Sequence, residues 1–356
     1  MLRSHQNRFW PFARSAFSRP MTALRCLADH LGISVSTASR ALNGYADVSP
    51  ATRARVVAAA EALGYRPHPA AHRLATGRTG AIALVSSMRA GHFLDATFAA
   101  LLTGIDEVLS AAGLYTLATA IPSDPAREMP ALERLLDGQL VDAVILSRTR
   151  MDDPRVTLLK KRGLPFVTYG RTAHDRDHAW VDVDNEGAFR LATERLVSLG
   201  HRRIHFINGP APYAFAQLRE KGWRSGLRAA RASGRMIHCE LSSAAGDDGA
   251  ALLLNRHPDA TALLCANDTL ALGALAAIKR TQRRVGAPGG VSVIGYGNTE
   301  AGRYADPSLT TIDYSIEDNG RHLGRAVLRL LGGTPARQLQ HLEPVRLMPR
   351  ASDGAP

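Results

Sequence analysis

The stretch Leu31 to Gly44, "LGISVSTASRALNG", concentrates side chains that bind phosphate oxygens and base edges. Ser34, Ser36, Thr37 and Ser39 carry short hydroxyls able to donate to a nucleic-acid backbone. Arg40 can place two parallel N–H groups on guanine O6 and N7, and the methyl groups of Val35 suit the thymine methyl. Ser and Thr are mediocre helix formers that compete for backbone hydrogen bonds. A surface helix meant only for water would favour Glu, Lys and Gln. The composition therefore predicts a helix selected for what it touches, with Ser34, Val35, Ser36, Thr37, Ser39, Arg40 and Asn43 facing DNA.

Local signals place this stretch as the second helix of a pair. Thr22 is a usable N-cap for a first helix, in which Leu24, Leu27, Ala28 and Leu31 follow the i, i+3, i+4, i+7 period. Gly32 permits a tight turn, Ser34 caps the second helix, and Val35, Ala38, Ala41 and Leu42 continue the helical period. A third helix opens at "SPATR", where Ser49 caps and Pro50 occupies the first turn, and it closes at Gly64. Pro67 and Pro69 then interrupt the chain, and "AAHRLATG", Ala70 to Gly77, spans about two helical turns, too short to stand alone in water.

Charge points the same way. Residues 1 to 78 hold eleven Arg against three acids, Asp29, Asp47 and Glu61, which is two-thirds of the net charge of +12. An excess of this kind at one end suits a polyanionic partner, because binding releases condensed counterions. The first twenty residues have four Arg, two Pro and no acid, and no continuous apolar core of a secretion signal. They are expected to be a disordered extension, with Met21 a candidate start; an organelle transit peptide is the other reading of the same composition. Cys26, Cys239 and Cys265 form no CxxC pair, which fits neither a disulfide framework nor a zinc site and suggests a reducing cytoplasm. No apolar run reaches the roughly 18 residues of a membrane span.

From Ala81 the pattern changes to short apolar runs, "AIALVSS", "DAVILS", "LPFVTYG", "RRIHFING", "ATALLCAND" and "VSVIGYGN", alternating with amphipathic segments such as Asn185–Leu199, Ala216–Ala232, Thr269–Gln282 and Ile316–Leu331. Nearly continuous apolar runs of strand length predict parallel strands covered on both faces, and about 275 residues of such alternation are more comfortably two lobes than one. In such folds ligands sit outside the carboxyl ends of strands.

Together, "LADHLGISVSTASRALNG", "VSPATRARV", "LGYRPH", "RLATGRTGAIALV", "VDVDNEGAFRLATERLVSLGHRRIHFINGP", "REKGW", "CANDTLALGAL", "VSVIGYGN" and "PSLTTID" resemble, in order and spacing, the lactose-repressor/galactose-repressor (LacI/GalR) family of bacterial regulators, from residue 22 to about 340. The resemblance implies an all-α helix-turn-helix headpiece over 21–66 and a hinge helix and linker over 67–80. An α/β, doubly wound, periplasmic-binding-protein-like effector domain over 81–356 follows, with an N-lobe at about 81–184 and 314–338 and a C-lobe at about 185–312 and 339–350. It implies a homodimer on a palindromic operator, more often a repressor than an activator, with no visible heptad run after Leu331 to pair dimers into tetramers. Val35 and Ser36 then look like the base-reading pair, Arg40 lies one turn on, and Ser34, Thr37, Ser39 and Asn43 resemble phosphate-positioning residues. Leu74 matches the leucine that the family inserts into a minor-groove step, with ordinary linker packing the less favoured alternative, and Ala71 matches its small neighbour in that groove.

The same resemblance implies a sugar-like effector in the interlobe cleft. Arg219 in "REKGW" matches the family's effector-gripping Arg, whose fork can serve several hydroxyls or a carboxylate. Asn267 and Asp268 end a strand in "CAND"; Asp268 either meets the cleft or caps the helix from Thr269. Where the family often places acceptor Asp residues, this chain has Gly297–Asn298 and Gly170–Arg171. Either other groups such as Asp95, Tyr169 and Asn298 hold a neutral sugar, or Arg171 answers a charged effector; the neutral sugar or glycoside is favoured. "HDRDHAW", with His174, Asp175, Asp177 and His178, has ligand types for a transition metal but reads as a solvated polar loop. No nucleophile with its base, Walker loop or H-E-x-x-H occurs, so neither enzyme nor cofactor is expected. A sugar-binding transport component would share the lobes but would need an export signal and no headpiece.

Overall fold

The computed structural model describes residues 20–65, 77–88, 96–286 and 288–356. The chain divides into two compact units, Met1–Thr79 and Gly80–Pro356. The expected N-terminal extension, the hinge helix with Ala71 and Leu74, and Asp95 lie outside the described residues.

In the first unit, helix α1 (Pro20–Leu31), α2 (Val35–Leu42) and α3 (Pro50–Ala62) surround a small core of Leu27, Ala41, Val48, Val56 and Ala60. Ala28 and Ala38 are also fully buried, which is the reason small residues recur at these positions. Gly32 adopts φ +64°, a left-handed conformation that costs a side-chain-bearing residue energy, and so ends α1 abruptly. Ser34 and Ser49 cap α2 and α3 by accepting from the backbone N–H groups of Thr37 (3.0 Å) and Thr52 (3.2 Å).

The second unit contains two six-stranded sheets. In the N-lobe, β1 (Ala81–Met88), β2 (Tyr115–Pro122), β3 (Ala143–Leu146), β4 (Phe166–Tyr169), β5 (Ala179–Val183) and β11 (Gln340–Glu343) stand in the order β11-β5-β4-β3-β1-β2, all parallel. Helices α4 (Ala96–Ala111), α5 (Pro125–Asp137), α6 (Pro154–Arg162) and α12 (Ile316–Leu331) cover it. Along β1 the side chains alternate between two cores: Ile82 and Leu84 pack with Leu101, Ile105 and Leu323, whereas Ala83 and Val85 pack with Leu132, Leu136 and Leu159. Burial on both faces accounts for the unbroken apolar runs in the sequence.

The C-lobe sheet has the order β12-β10-β9-β8-β6-β7, built from β6 (Ile204–Asn208), β7 (Met236–His238), β8 (Ala262–Cys265), β9 (Ser292–Tyr296), β10 (Thr310–Asp313) and an antiparallel β12 (Arg346–Met348). Helices α7 (Asn185–Ser198), α8 (Ala214–Ala229), α9 (Ser243–Arg256) and α10 (Asp268–Arg280), with the short α11 (Glu300–Arg303), complete the lobe. The chain passes between the sheets three times, after Val183, Asp313 and Glu343. The return to the C-lobe expected at residue 339 comes later, because Gln340–Glu343 first pairs with β5 as an edge strand. Both sheets point the carboxyl ends of their parallel strands toward the region between the lobes, where loops after β3, β4, β6, β8 and β9 converge.

Candidate nucleic-acid interface and effector cleft

Helix α2 presents one face to its own unit and one to solvent. Ala38 and Ala41 are buried, while Ser34, Ser36 and Arg40 are exposed and Val35 is 39% exposed. Thr37, Ser39 and Asn43 are half-buried. Ser34 and Thr37 share a hydroxyl–hydroxyl hydrogen bond of 2.8 Å, and Asn43 Nδ2 donates to the Ser39 carbonyl oxygen at 2.9 Å, closing the end of the helix. Asn43 and Ser39 therefore shape α2 as well as its surface.

Arg40 is held rather than free. Its Nη2 lies 2.5 Å from Asp47 Oδ2, its Nε donates to Asp47 Oδ1 at 3.3 Å, and its guanidinium sits 5.2 Å from the Tyr45 ring centroid. This exposed pair contributes little to stability, but it confines a long side chain to the outer face of the helix. Asp47 and Tyr45 are positioning residues that sequence reasoning does not reach, since the 7-residue separation crosses the end of α2.

Both lobes of the second unit line a cleft. The N-lobe supplies Ser86, Ser147, Arg148, Thr149, Tyr169, Arg171 and Asp182; the C-lobe supplies Asn185, Phe215, Arg219, Asn267 and Tyr296. At its rim the Ala214 N–H donates to the Thr149 carbonyl oxygen at 2.8 Å, and Arg150 and Tyr213 form an isolated antiparallel bridge. The cleft is therefore closed on that side by backbone contacts between the lobes.

A chain of side chains crosses from one lobe to the other along the cleft. Arg171 Nε donates to Asp182 Oδ2 at 2.9 Å, Asn185 Nδ2 donates to Asp182 Oδ1 at 3.2 Å, and Arg219 Nε donates to Asn185 Oδ1 at 2.7 Å. Arg219 Nη1 also donates to the Ala266 carbonyl oxygen at 2.6 Å, and its guanidinium lies 4.0 Å from the Tyr296 ring and 4.7 Å from the Phe215 ring. Two of its five N–H groups are thus spent on fixing its plane. Burial pushes the Asp182 carboxyl up while the Arg171 guanidinium opposes it, and burial raises the Tyr169 and Tyr296 hydroxyls well above their usual range. The tyrosines face the cleft as neutral hydroxyls.

Arg171 has a partner, Asp182, that sequence reasoning misses. The Asp lies inside β5, whose run "AWVDV" reads as one polar residue among apolar ones, and its counter-ion is eleven residues upstream. Beside it, Gly170 adopts φ +110°, and a Cβ there would meet Thr149 Oγ1 at 2.4 Å. Local backbone and crowding together exclude the acceptor that the resemblance placed at that corner.

Three expectations are corrected. Asp268 neither lines the cleft nor caps: Asn267 caps α10 by accepting from the Leu270 N–H at 2.9 Å, so the helix starts one residue earlier. The Asp268 carboxylate is buried, accepting from Thr299 N–H (2.7 Å), Thr299 Oγ1 (3.0 Å) and Thr311 Oγ1 (2.6 Å), which braces the loop after β9. Asn298 is outside the cleft lining, because its side-chain oxygen accepts from Arg350 and its backbone, at φ +48°, is turned by the bond from its N–H to Thr311 Oγ1. Finally, the polar loop around His174 is not solvated throughout. His178 is buried, stacks on Phe166 at 5.5 Å and contacts Thr168 Oγ1 at 3.0 Å, and burial lowers its pKa to about 4.

Beneath the N-lobe wall lies a buried charge network. Arg155 makes a bidentate pair with Asp153 (2.9 and 2.7 Å), and its Nη1 donates to Ser87 Oγ at 2.5 Å while its Nη2 donates to the Arg148 carbonyl oxygen at 2.8 Å. Glu128 lies 2.7 Å from Arg150 and 3.4 Å from Arg155. These bonds hold the segment after β3, including Arg148 at φ +54°, against the cleft.

Comparison with known proteins matches the first unit to the model "Bacterial regulatory proteins, lacI family" over residues 24–68, and residues 193–352 to a periplasmic binding protein-like domain. The HTH-type transcriptional regulator AglR of Rhizobium meliloti is 36% identical over 348 residues, covering 93% of this chain and 94% of the relative. The chain belongs to the LacI family of bacterial transcriptional regulators. CelR of Thermobifida fusca is 35% identical, covering 93% and 96% of the two chains. Among solved structures, a CelR–cellobiose complex superposes with a TM-score of 0.72 at 32% identity over 92% of this chain and 99% of the other. A lac repressor dimer bound to operator and an anti-inducer gives 0.77 at 28% identity over 92% and 98%. This LacI-family regulator thus shares its two-unit plan with proteins solved on DNA and on a disaccharide. Among the described residues, no helix is long and apolar enough to cross a membrane.

Proposed function

We propose that this LacI-family protein acts in the cytoplasm as a homodimeric repressor that binds a palindromic operator and is controlled by a neutral sugar or glycoside in the cleft. The carrying observation is the Arg171–Asp182–Asn185–Arg219 chain set among aromatic rings. Asp182 neutralises Arg171, so the cation that suggested a charged effector already has its counter-ion. The uncommitted N–H groups of Arg219 and the amide nitrogen of Asn267 serve hydroxyls, while Phe215 and Tyr296, packed against Arg219, belong to the apolar wall behind them. Tyr169 and Arg171 complete the contact set on the N-lobe side, with Asp95 as its expected acidic member. The disaccharide in the CelR structure supports a glycoside.

On the DNA side, Ser34, Ser36, Thr37, Ser39 and Asn43 position the backbone while Val35, Ser36 and Arg40 read bases; Ala71 and Leu74 contact the minor groove. Effector binding changes operator affinity by its differential affinity for the two arrangements of the lobes. Calorimetry with cellobiose, other neutral glycosides and their phosphates tests the effector class. Binding of neutral glycosides is expected, and binding of phosphates alone would overturn it.

A further inference from the structure

Helix α12 and edge strand β11 bring three ligating side chains together on the N-lobe, at the sheet edge opposite β2 and away from the cleft lining. His341 and Glu343 are two residues apart on β11, so strand alternation puts them on one face. His322 comes from the middle of α12, and its ring stacks on that of His341 with centroids 4.0 Å apart and 6° between planes. His341 Nε2 is 2.9 Å from Glu343 Oε2, and one ligand atom from each of the three residues lies within 4.8 Å of the others. All three are half-buried, sheltered but reachable from solvent.

Two imidazoles and one carboxylate are a donor set suited to zinc and its late first-row neighbours, which take nitrogen and oxygen at about 2.0 to 2.2 Å. Ligand atoms on such an ion stand about 3.3 Å apart by tetrahedral geometry. The present separations, 2.9 Å for His341 and Glu343 and no more than 4.8 Å for the other pairs, bracket that value.

We propose that His322, His341 and Glu343 form a binding site for a divalent late first-row transition ion such as Zn2+, with solvent completing its coordination. The ion would tie α12 to β11 at the root of a crossover, since Glu343 ends the strand and its carbonyl oxygen accepts from the Asp184 N–H at 3.0 Å, beside the crossover after β5.

The test is a Co2+ titration of the tag-free full-length protein, followed by visible absorption and competition with Zn2+. One equivalent is expected to give the intense d–d bands of a four- or five-coordinate ion, displaced by Zn2+. His322→Gln and His341→Gln should each weaken binding by more than about tenfold, the least that loss of even an outer partner costs, with metal-free circular dichroism unchanged. Glu343→Gln, which keeps size and hydrogen bonding, should weaken binding in the same direction and guards against misfolding of the histidine variants. Absence of bands above those of aqueous Co2+, or undiminished binding in the variants, would overturn the site.

Discussion

Removing the Asp182 carboxylate tests how the cleft handles charge. In Asp182→Ala, Arg171 loses its 2.9 Å acceptor, and Val183 N–H and Asn185 Nδ2 lose theirs at 2.8 and 3.2 Å. Taking one partner from a fully buried pair costs about 3 to 5 kcal/mol, but the Arg171 side chain keeps 24% of its exposure and can recruit water. Burial also raises the Asp182 pKa, which reduces the net worth of the pair. The expected destabilisation is about 2 kcal/mol, the middle of the range for a hydrogen bond to a charged group. In a double-mutant cycle with Arg171→Ala, most of that energy should appear as coupling. Urea unfolding supplies the four free energies. Calorimetry on the same proteins should show a neutral glycoside losing about 30-fold in affinity, the equivalent of about 2 kcal/mol, while its phosphate loses less. Additivity within about 0.5 kcal/mol, with the neutral-to-phosphate preference unchanged, would refute the reasoning.

Other perturbations separate the remaining parts. Arg40→Ala should weaken operator binding by about 1 to 3 kcal/mol and relax preference at one base pair, whereas equal loss on all sequences would assign Arg40 to phosphate. Asp47→Ala frees Arg40 without removing it, so anisotropy titrations should show reduced discrimination between operator and scrambled DNA at similar non-specific affinity. Glu128→Ala leaves Arg150 and Arg155 short of a buried acceptor and should lower stability by about 3 to 5 kcal/mol in urea unfolding. Burial lowers His178 and His205 to about 4, against about 6.5 in an unfolded chain. Between those values the unfolded chain binds more protons, so the stability contribution is complete above about pH 6.5 and is lost as pH falls toward 4. His205→Gln should flatten that slope; an unchanged slope would contradict it.

The headpiece was legible because its signals are local: a 3.6-residue apolar period, Gly32 at the turn, and Ser34 and Ser49 one residue ahead of their helices. The predicted Ile316–Leu331 helix matches α12 for the same reason. Strand–helix alternation was legible for β1, β3, β4, β6, β8 and β9, whose runs are long and apolar. It failed for β2, whose partial exposure marks a sheet edge, for the polar or short β7, β11 and β12, and for β5 and β10, which are buried but carry Asp or Thr within four or five residues. Arg219, Asn267, Tyr169 and Arg171 line the cleft. Asp182 and Asn185 escaped because their roles depend on partners 11 and 34 residues away. Asp268 and Asn298 were misplaced because the phase of α10 and the turn after β9 are set by Thr299, Thr311 and Arg350, which no local spacing reveals.

Whether cleft occupancy changes DNA affinity is measured directly by fluorescence anisotropy on the region upstream of the protein's own gene. Binding there should be sequence-specific and salt-dependent, its affinity should shift when a neutral glycoside that binds the cleft is added, and Arg219→Ala protein should still bind DNA but ignore the glycoside. Operator affinity unchanged by every ligand that binds the cleft would contradict this control.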